Sequence, residues 1–521
     1  MSGRTLMIQG TSSSAGKSLL VAALCRIFAR RGVRVAPFKA QNMSNNAAVC
    51  TDGSEIGRSQ AMQAAAARLA PTGDMNPILL KPEADARSQV IVNGRPWQTL
   101  GARRYFQARE ELWPAVTGAL DRLRAQYDLV VIEGAGSPAE PNLHDVEIVN
   151  MAVARYAHSP VVLVGDIERG GVFAQLLGTL WLLGDDERAL VRGMIVNKFR
   201  GDPSLFDAGV TFLEDRGGIP VLGVVPWLAG LGLPEEDAVA LHAARQPRDD
   251  DNQLDIAVIR LPHIANFDDF DRLAFDSRVR LRYVDSPQRL GQPDAIILPG
   301  TKSTVADLEW LRAVGLAGPI VELAHRQVAV VGICGGYQML GTTICDPQGI
   351  ESSAGETRGL GLLPIRTHFE PIKETHQIAA SIESDRHCPG CFGQSISGYE
   401  IHAGRTTGER PWLKITRRGG SAAAVLDGSV SDDGRIWGCY LHGLFANDGF
   451  RQAWLDSLEH QAGVSQLAVG DQSATAFAGN TADWLDAALD RLADGVETAL
   501  DLPQLENIIR SPAGVGLCQT T

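Results

Sequence analysis

Short hydrophobic runs alternate, in the first half of the chain, with longer segments whose apolar residues recur at helical spacing. The first run spans residues 5–9. The apolar positions from Leu19 to Phe28 then share one helical face, which ends before Gly32, a residue suited to a helix C-cap. Further strands are predicted at residues 33–38, 89–92, 129–132, 161–164, 194–196 and 221–225, and helices at 55–69, 98–126 (kinked or divided at Pro114) and 172–183. This alternation predicts a parallel, doubly wound α/β sheet.

A second α/β unit follows a change in composition. Residues 246–252 are polar and lack an apolar period, as expected of a linker. New strands are predicted at residues 255–259, 294–298 and 328–333. After Phe450 the apolar residues recur at helical spacing, which predicts helices. We therefore expect domains at 1–245 and 254–450, a linker at 246–253, and a C-terminal helical segment at 451–521 that packs against the rest without chemistry of its own.

The loop between the first strand and the first helix has the composition of a phosphate-binding loop. It consists of Thr11, Ser12, Ser13, Ser14, Ala15, Gly16, Lys17 and Ser18. Backbone N–H groups of such a loop and the following helix N-terminus attract phosphate. We expect Lys17 to reach the outer phosphates of a nucleotide and the Ser18 hydroxyl to ligate Mg²⁺. Thr11 stands where the usual pattern has a glycine, so an ordinary Gly/Ser turn is the alternative.

Polar residues end three later strands of the same sheet. Glu133 and Asp166 each follow a buried-type strand and precede glycines, so we expect them to serve the metal and the phosphates; solvated strand-end acids are the alternative. Asn197 and Lys198 end the next strand, where nucleotide-binding proteins often hold the base. Arg200 occupies the position at which guanine-binding proteins carry an acid, which favours adenine and hence ATP.

The second predicted strand runs into a stretch rich in amides. Lys39, Gln41, Asn42 and Asn45 follow its carboxyl end, where ligands bind in open α/β sheets, and Arg58 follows shortly after. These residue types suit a substrate with many carboxylate or amide arms. An amide-rich turn is the alternative.

In the second unit, Gly332-Ile333-Cys334-Gly335-Gly336 has the form of a nucleophile elbow with cysteine as the nucleophile. Glycines on both sides permit the strained turn, and the following helix N-terminus is expected to favour the thiolate. The N–H of Gly335 is an expected oxyanion donor, and the Gly300–Thr301 loop is expected to offer a second. The alternative is an inert buried cysteine.

A cysteine nucleophile needs a base, and two histidines are candidates. His442 follows a short strand and lies between glycine-containing segments, which leaves its ring accessible. His402 lies in a segment that alternates like a strand. We therefore expect His442 to be the base for Cys334.

Composition limits the class of function. The 521 residues are 45% hydrophobic and 21% charged, which indicates a globular protein of two or three domains. The net charge of −13 argues against a broad nucleic-acid surface, so an anionic substrate must meet local lysines and arginines. A strand follows Met1 closely and no run of about eighteen apolar residues occurs, which favours a cytoplasmic location without a membrane span.

Eight cysteines in this length do not form a disulfide scaffold and favour a reducing compartment. Cys388 and Cys391 form a single CxxC pair beside His387. A structural zinc ion normally needs a second pair of ligands, so we expect a surface loop here.

Together these motifs resemble the CobB/CobQ family of amidotransferases. The phosphate loop resembles that of dethiobiotin synthetase and its relatives, which use ATP to activate a carboxylate. Cys334 and His442 with their glycines resemble a class I glutamine amidotransferase, although Leu444 stands where most members carry the glutamate that orients the histidine. That missing acid matches the CobB/CobQ branch. The resemblance covers residues 5–445 and implies a P-loop NTPase-like sheet followed by a flavodoxin-like sheet.

Residues 41–46, 166–174 and 197–202 resemble the family members that amidate four carboxylates of a corrinoid. The resemblance implies ATP- and glutamine-dependent amidation of adenosylcobyrinic acid a,c-diamide at its b, d, e and g carboxylates, on the way to cobalamin. ATP would phosphorylate a carboxylate in the first domain, and ammonia released at Cys334 would displace the phosphate. The ammonia would need a sheltered path between the two sites.

Two alternatives remain open at the level of sequence. One is the sister enzyme, which amidates the a and c carboxylates. The other is a P-loop ATPase that partitions or scaffolds and carries an inactive amidotransferase module.

Overall fold

A computed structural model describes residues 2–83, 87–143, 147–233, 253–462 and 481–511. Most of the predicted linker, residues 246–252, lies outside these ranges. None of the helices in them is long and apolar enough to cross a lipid bilayer.

The first half of the chain forms twelve described strands and eight described helices. The strands are β1 (Arg4–Gly10), β2 (Val35–Phe38), β3 (Gln41–Met43), β4 (Ala47–Val49), β5 (Glu55–Gly57), β6 (Ile78–Pro82), β7 (Arg87–Val92), β8 (Arg95–Gly101), β9 (Leu129–Glu133), β10 (Val161–Asp166), β11 (Val191–Phe199) and β12 (Val221–Pro226). The helices are α1 (Lys17–Arg30), α2 (Arg58–Ala66), α3 (Ala102–Gln107), α4 (Arg109–Gln126), α5 (Met151–Ala157), α6 (Val172–Leu182), α7 (Asp185–Arg188) and α8 (Asp207–Gly217).

Six of these strands form one parallel sheet in the order β12-β11-β10-β1-β9-β2. Its central strands are buried along their whole length, because helices cover both faces. The predicted doubly wound sheet is therefore confirmed. Its carboxyl edge brings together the ends of β1, β9, β10 and β11, which carry the phosphate loop and the predicted acids.

Two predicted helices begin later than expected. Residues 55–57 form β5, which pairs with β4, and residues 95–101 form β8, which pairs with β7. In both places pairing with a neighbouring strand satisfies the backbone hydrogen bonds at the start of the predicted helix. Both strands belong to small sheets that flank the main one, and β3, β6, β7 and β8 form the larger of the two.

The second half contains another twelve described strands and eight described helices. The strands are β13 (Leu254–Ile259), β14 (Val279–Val284), β15 (Ala295–Leu298), β16 (Ala329–Ile333), β17 (Thr343–Asp346), β18 (Gly355–Arg358), β19 (Ile365–Ile382), β20 (Ser395–Gly408), β21 (Leu413–Arg418), β22 (Ser421–Asp427), β23 (Ser429–Val430) and β24 (Ile436–Cys439). The helices are α9 (Asp271–Ala274), α10 (Pro287–Leu290), α11 (Thr304–Ala313), α12 (Ala317–His325), α13 (Gly335–Leu340), α14 (Asp448–Ala462), α15 (Thr481–Ala499) and α16 (Leu502–Arg510).

Strands β14-β13-β15-β16-β24 form a parallel sheet, to which β23 adds an antiparallel edge. This order is flavodoxin-like, and it places the ends of β16 and β24 side by side. A second sheet, with the long hairpin of β19 and β20 at its centre, packs in the same hydrophobic core. The sequence did not predict this mainly antiparallel sheet.

The C-terminal helices divide between the two domains. Trp454 and Leu458 on α14 are buried in the core of the second domain. Helix α15 instead packs along α1 of the first domain, where Leu489 shares a hydrophobic cluster with Leu24. Arg26, fully buried on α1, forms an ion pair with Asp486 on α15. Helix α14 therefore packs against the second domain, and α15 and α16 pack against the first.

The CxxC pair is not on the surface, so that expectation was wrong. Cys388 and Cys391 are fully buried and joined as a disulfide. His387 lies among Trp412, Trp437 and Phe450, and this burial lowers its pKa to about 3. The local apolar packing explains the burial of all three residues.

Candidate active sites of the two domains

Cys334 lies at the turn between β16 and α13 with φ of 51°, a conformation that costs energy for a residue with a side chain. A Cβ on Gly336 would lie 1.9 Å from the Leu298 carbonyl oxygen, so only glycine fits beside β15. The Cys334 thiol is almost buried, and its Sγ lies 3.6 Å from the Ile401 carbonyl oxygen. These features are those of the predicted nucleophile elbow.

His442, after β24, is held by a carboxylate that the sequence analysis missed. Its Nδ1 lies 2.7 Å from Oδ2 of Asp269, and the N–H of Gly443 donates to the other oxygen of the same carboxylate at 2.7 Å. Leu444, at the position where most class I members carry a glutamate, is buried. The orienting acid therefore comes from the short 3₁₀ turn Phe267–Phe270 after β13, and the expectation that this acid is lacking was wrong.

The charge on His442 is set by opposing effects. Burial lowers its pKa, but the negative charges of Asp269 and Cys334 and hydrogen bonds with both residues outweigh burial and raise the pKa to about 10. The ring is therefore an imidazolium at neutral pH. A cysteine beside an imidazolium is the arrangement that activates a thiol for attack.

The loop after β15 approaches both catalytic candidates. A Cβ on Gly300 would lie 2.8 Å from Cε1 of His442, and a Cβ on Gly335 would lie 3.2 Å from the Thr301 nitrogen. The Thr301 side chain is fixed by hydrogen bonds to Asp307 and to the His263 carbonyl. The predicted oxyanion donors Gly335 and Thr301 thus lie on adjacent backbone segments.

His402, the other candidate base, has different neighbours. Its ring stacks on Tyr440 with centroids 3.8 Å apart, and its Nδ1 lies 2.8 Å from the Gly404 carbonyl oxygen. Its Nε2 lies 3.4 Å from Glu400. The ring of His402 is therefore held by Tyr440 and by residues of its own strand, β20, whereas the ring of His442 contacts Cys334.

The phosphate loop joins β1 to α1 as predicted. Gly16 adopts φ of +92°, and a Cβ there would lie 2.2 Å from the Asn197 amide nitrogen, so glycine is required. The Lys17 ammonium donates to the carbonyls of Ser12 at 2.9 Å and Gly136 at 3.0 Å. The Lys17 side chain therefore folds back over the loop. Gly136, one of its two acceptors, also lines a cavity of about 210 Å³ together with Asn150.

Glu133 and Ser18 meet at the end of β9. The Ser18 hydroxyl donates to Oε1 of Glu133 at 2.8 Å, and the Lys39 ammonium donates to the same oxygen at 2.8 Å. Gln63 donates to the other carboxylate oxygen. A serine hydroxyl beside a buried carboxylate provides the hard oxygen ligands that Mg²⁺ prefers, so these residues fit the ion.

Asp166 has a different set of contacts. Its Oδ2 accepts from the Lys198 ammonium at 2.9 Å, and Lys198 also donates to the Ser14 carbonyl at 2.6 Å. Asn197 donates to the Ala15 carbonyl at 2.8 Å. Asp166, Asn197 and Lys198 thus brace the phosphate loop, and Asp166 is paired with Lys198.

The predicted substrate residues fall into two groups. Gln41 accepts from the Tyr105 hydroxyl, Asn42 donates to Gln60 at 2.9 Å, and the side-chain oxygen of Asn45 is buried without a hydrogen-bond partner among the described residues. The guanidinium of Arg58, in contrast, pairs with Asp268 of the second domain. The structure therefore turns Arg58 toward the other domain, because a buried carboxylate there attracts its charge.

Both domains match known family models. Residues 6–238 match the CobQ/CobB/MinD/ParA nucleotide binding domain, and residues 255–450 match the CobB/CobQ-like glutamine amidotransferase domain. The first domain is therefore a nucleotide-binding domain and the second a glutamine amidotransferase domain.

The chain is also similar over nearly its whole length to curated proteins named cobyric acid synthase. It is 54% identical to the one from Chloroflexus aurantiacus, over 98% of this chain and 100% of that protein. It is 49% identical to the one from Sorangium cellulosum, over 98% and 99%. The protein from Dehalococcoides mccartyi strain CBDB1 is 47% identical, over 97% and 99%.

Proposed function

Because this chain belongs to the cobyric acid synthase family, we propose that it converts adenosylcobyrinic acid a,c-diamide to adenosylcobyric acid. The reaction amidates the b, d, e and g carboxylates with ATP and with ammonia from glutamine. The observation that supports this most directly is that one chain carries both sites. Ser18 of the phosphate loop is hydrogen-bonded to Glu133, and Cys334 of the nucleophile elbow is hydrogen-bonded to His442.

Glutamine hydrolysis takes place in the second domain. The Cys334 thiolate attacks the side-chain amide carbon, and the N–H groups of Gly335 and Thr301 stabilise the oxyanion of the tetrahedral intermediate. The His442 imidazolium donates its proton to the leaving nitrogen, so ammonia departs and a glutamyl thioester remains. His442 then takes a proton from the attacking water, the hydroxide adds to the thioester, and the Cys334 thiolate leaves as glutamate forms, which restores the thiolate–imidazolium pair.

Carboxylate activation takes place in the first domain. A substrate carboxylate oxygen attacks the γ-phosphorus of ATP, ADP leaves, and an acyl phosphate forms. Lys17 and the loop N–H groups bind the phosphates, while Asn197 and Lys198 brace the loop beneath the nucleotide. Ser18 and Glu133 would hold Mg²⁺, which supplies positive charge next to the phosphates. Ammonia then attacks the acyl carbon and phosphate leaves, giving the amide.

The corrinoid is expected to contact the polar stretch after β2. The unpartnered oxygen of Asn45 is suited to accept a hydrogen bond from an amide arm of the substrate. Gln41 and Asn42 precede it in the same stretch, and Lys39 donates to Glu133, the carboxylate that also contacts Ser18 of the phosphate loop. A cytoplasmic location, adenine specificity and a metal role for Asp166 remain predictions.

The two alternatives are not favoured. The relatives of high identity carry the name of the four-carboxylate enzyme, rather than that of the sister enzyme. The contacts of Cys334 and His442 suit a working glutaminase better than an inactive module.

The deciding experiment measures product mass. The enzyme is incubated with ATP, Mg²⁺, glutamine and adenosylcobyrinic acid a,c-diamide, and we expect successive additions that end at four amides. Lys17→Ala, which removes the phosphate-binding ammonium, is expected to yield no amide from glutamine or ammonia while still hydrolysing glutamine. A product from cobyrinic acid that stops at two amides would identify the sister enzyme instead. Absence of glutamine hydrolysis in the unmodified enzyme would favour the scaffold.

A further inference from the structure

The short turn at residues 266–269 contacts His442 from two sides. Asp269 holds Nδ1 at 2.7 Å, and the Asn266 amide nitrogen lies 3.4 Å from Nε2. Asn266, Asp268 and Asp269 are all buried. The position and charge of the His442 ring therefore depend on where this turn lies.

The turn is itself held by the first domain. The N–H of Ala47 donates to the Asn266 side-chain oxygen at 3.0 Å, and the N–H of Phe267 donates to the Asn46 side-chain oxygen at 3.2 Å. These two hydrogen bonds join the edge of β4 to the turn that carries Asp269.

Arg58, at the start of α2, adds a charged contact to the same turn. Its guanidinium pairs with the Asp268 carboxylate and lies over the ring of Tyr399, 5.8 Å from the centroid. Tyr399 in turn stacks on His442, with centroids 5.2 Å apart and planes 15° apart. Arg58 is thus connected to His442 through two intermediates, the turn that contains Asp268 and the ring of Tyr399.

We propose that Arg58 and Asn46 of the nucleotide-binding domain are positioning residues for glutamine hydrolysis, acting on His442 through the turn at 266–269. An unsupported turn would let Asp269 move, and misplacement of a catalytic group by about 1 Å can cost about 100-fold in rate. Efficient hydrolysis of glutamine then requires contact between the two domains. Ammonia is therefore released only when the amidotransferase domain is docked on the nucleotide-binding domain that uses it. The inference rests on the proposed glutaminase role of Cys334 and His442.

The test separates the two half-reactions of the full-length enzyme. For Arg58→Gln and for Asn46→Ala we expect kcat for glutamine hydrolysis to fall by about 100-fold while KM for glutamine changes little, because the ring is misplaced and the glutamine pocket is retained. Amidation with ammonium chloride as the nitrogen source, and KM for the corrinoid diamide, are expected to stay within about twofold. Arg58→Lys keeps the charge and should recover part of the loss.

A double-mutant cycle tests the route of the effect. If Arg58 acts through Asp268, Arg58→Gln combined with Asp268→Asn should lose no more activity than Arg58→Gln alone. Arg31→Gln is the matched control, since it breaks ion pairs between α1 and the C-terminal helices without touching the turn. It is expected to hydrolyse glutamine normally.

Two outcomes would overturn the inference. One is a raised KM for the corrinoid diamide in Arg58→Gln with glutamine hydrolysis intact, which would make Arg58 a substrate residue. The other is normal hydrolysis in both Arg58→Gln and Asn46→Ala. Failure of the unmodified enzyme to amidate with ammonia would instead refute the proposed synthase function, and the hydrolysis data would still decide the positioning role.

Discussion

The Asp269 carboxylate holds Nδ1 of His442 at 2.7 Å although the two residues lie 173 positions apart in the chain. The second oxygen of this carboxylate accepts from the Gly443 N–H, so both the ring and the backbone that carries it are fixed. From the 3₁₀ turn Phe267–Phe270, Asp269 therefore supplies the orientation that most class I amidotransferases are expected to obtain from a glutamate two residues after the histidine.

Replacing Asp269 by asparagine should lower glutamine hydrolysis by roughly 100- to 10,000-fold, because the amide neither stabilises the imidazolium nor fixes the same ring tautomer. Asp269 raises the pKa of His442, which stands at about 10, so its loss lowers that pKa. The imidazolium is present below its pKa and lost above it, so the alkaline limb of the pH–rate profile should move to lower pH. An unchanged alkaline limb would contradict this role.

Gly300 leaves no room for a side chain beside the base. A Cβ there would meet Cε1 of His442 at 2.8 Å, so Gly300→Ala should displace the ring and reduce kcat for glutamine hydrolysis by about 100-fold. Amidation with ammonia should be retained, since the change lies outside the nucleotide-binding domain. Gly318→Ala, where a Cβ meets nothing within 4 Å, is the matched control. Equal rates in the two variants would show that His442 is not packed against this loop.

Cys334 and His442 should be needed for glutamine but not for ammonia. Cys334→Ser replaces a thiolate by a weak nucleophile, and His442→Ala removes its proton donor, so both should lose glutamine-dependent amidation by at least about 1,000-fold. Ammonium salts should restore amidation, most strongly at higher pH where NH₃ is more abundant. His402→Ala should retain far more glutaminase activity than His442→Ala. Failure of Cys334→Ser with ammonia would show that Cys334 also has a structural role.

The contacts of the two strand-end acids predict different defects. Glu133 meets the Ser18 hydroxyl, so Glu133→Gln should raise the Mg²⁺ concentration needed for half-maximal amidation by about tenfold or more. Asp166 pairs with Lys198, so Asp166→Asn should mainly raise KM for ATP. Both effects are measured by titrating Mg²⁺ and ATP separately with ammonia as the nitrogen source. Identical Mg²⁺ curves for Glu133→Gln and the unmodified enzyme would reject Glu133 as a metal ligand.

The sequence alone determined the elements whose signals are local. The phosphate loop, the elbow around Cys334 and the strands that precede them depend on glycine spacing and on short apolar runs, and both can be recognised within a few residues. The same locality explains the errors, because the strands at 55–57 and 95–101 form through pairing with partners that a local pattern does not contain.

Only the tertiary structure decided how distant segments meet. Nothing in the neighbourhood of His442 points to Asp269, since a carboxylate and an imidazole need only be adjacent in space, and the order β13-β15-β16-β24 brings their segments together. Likewise, the sequence predicts Arg58 as a substrate residue, but only folding shows that a buried carboxylate of the other domain lies against it. Local residue patterns encode backbone geometry, whereas the partner of a charged side chain is fixed by packing of the whole chain.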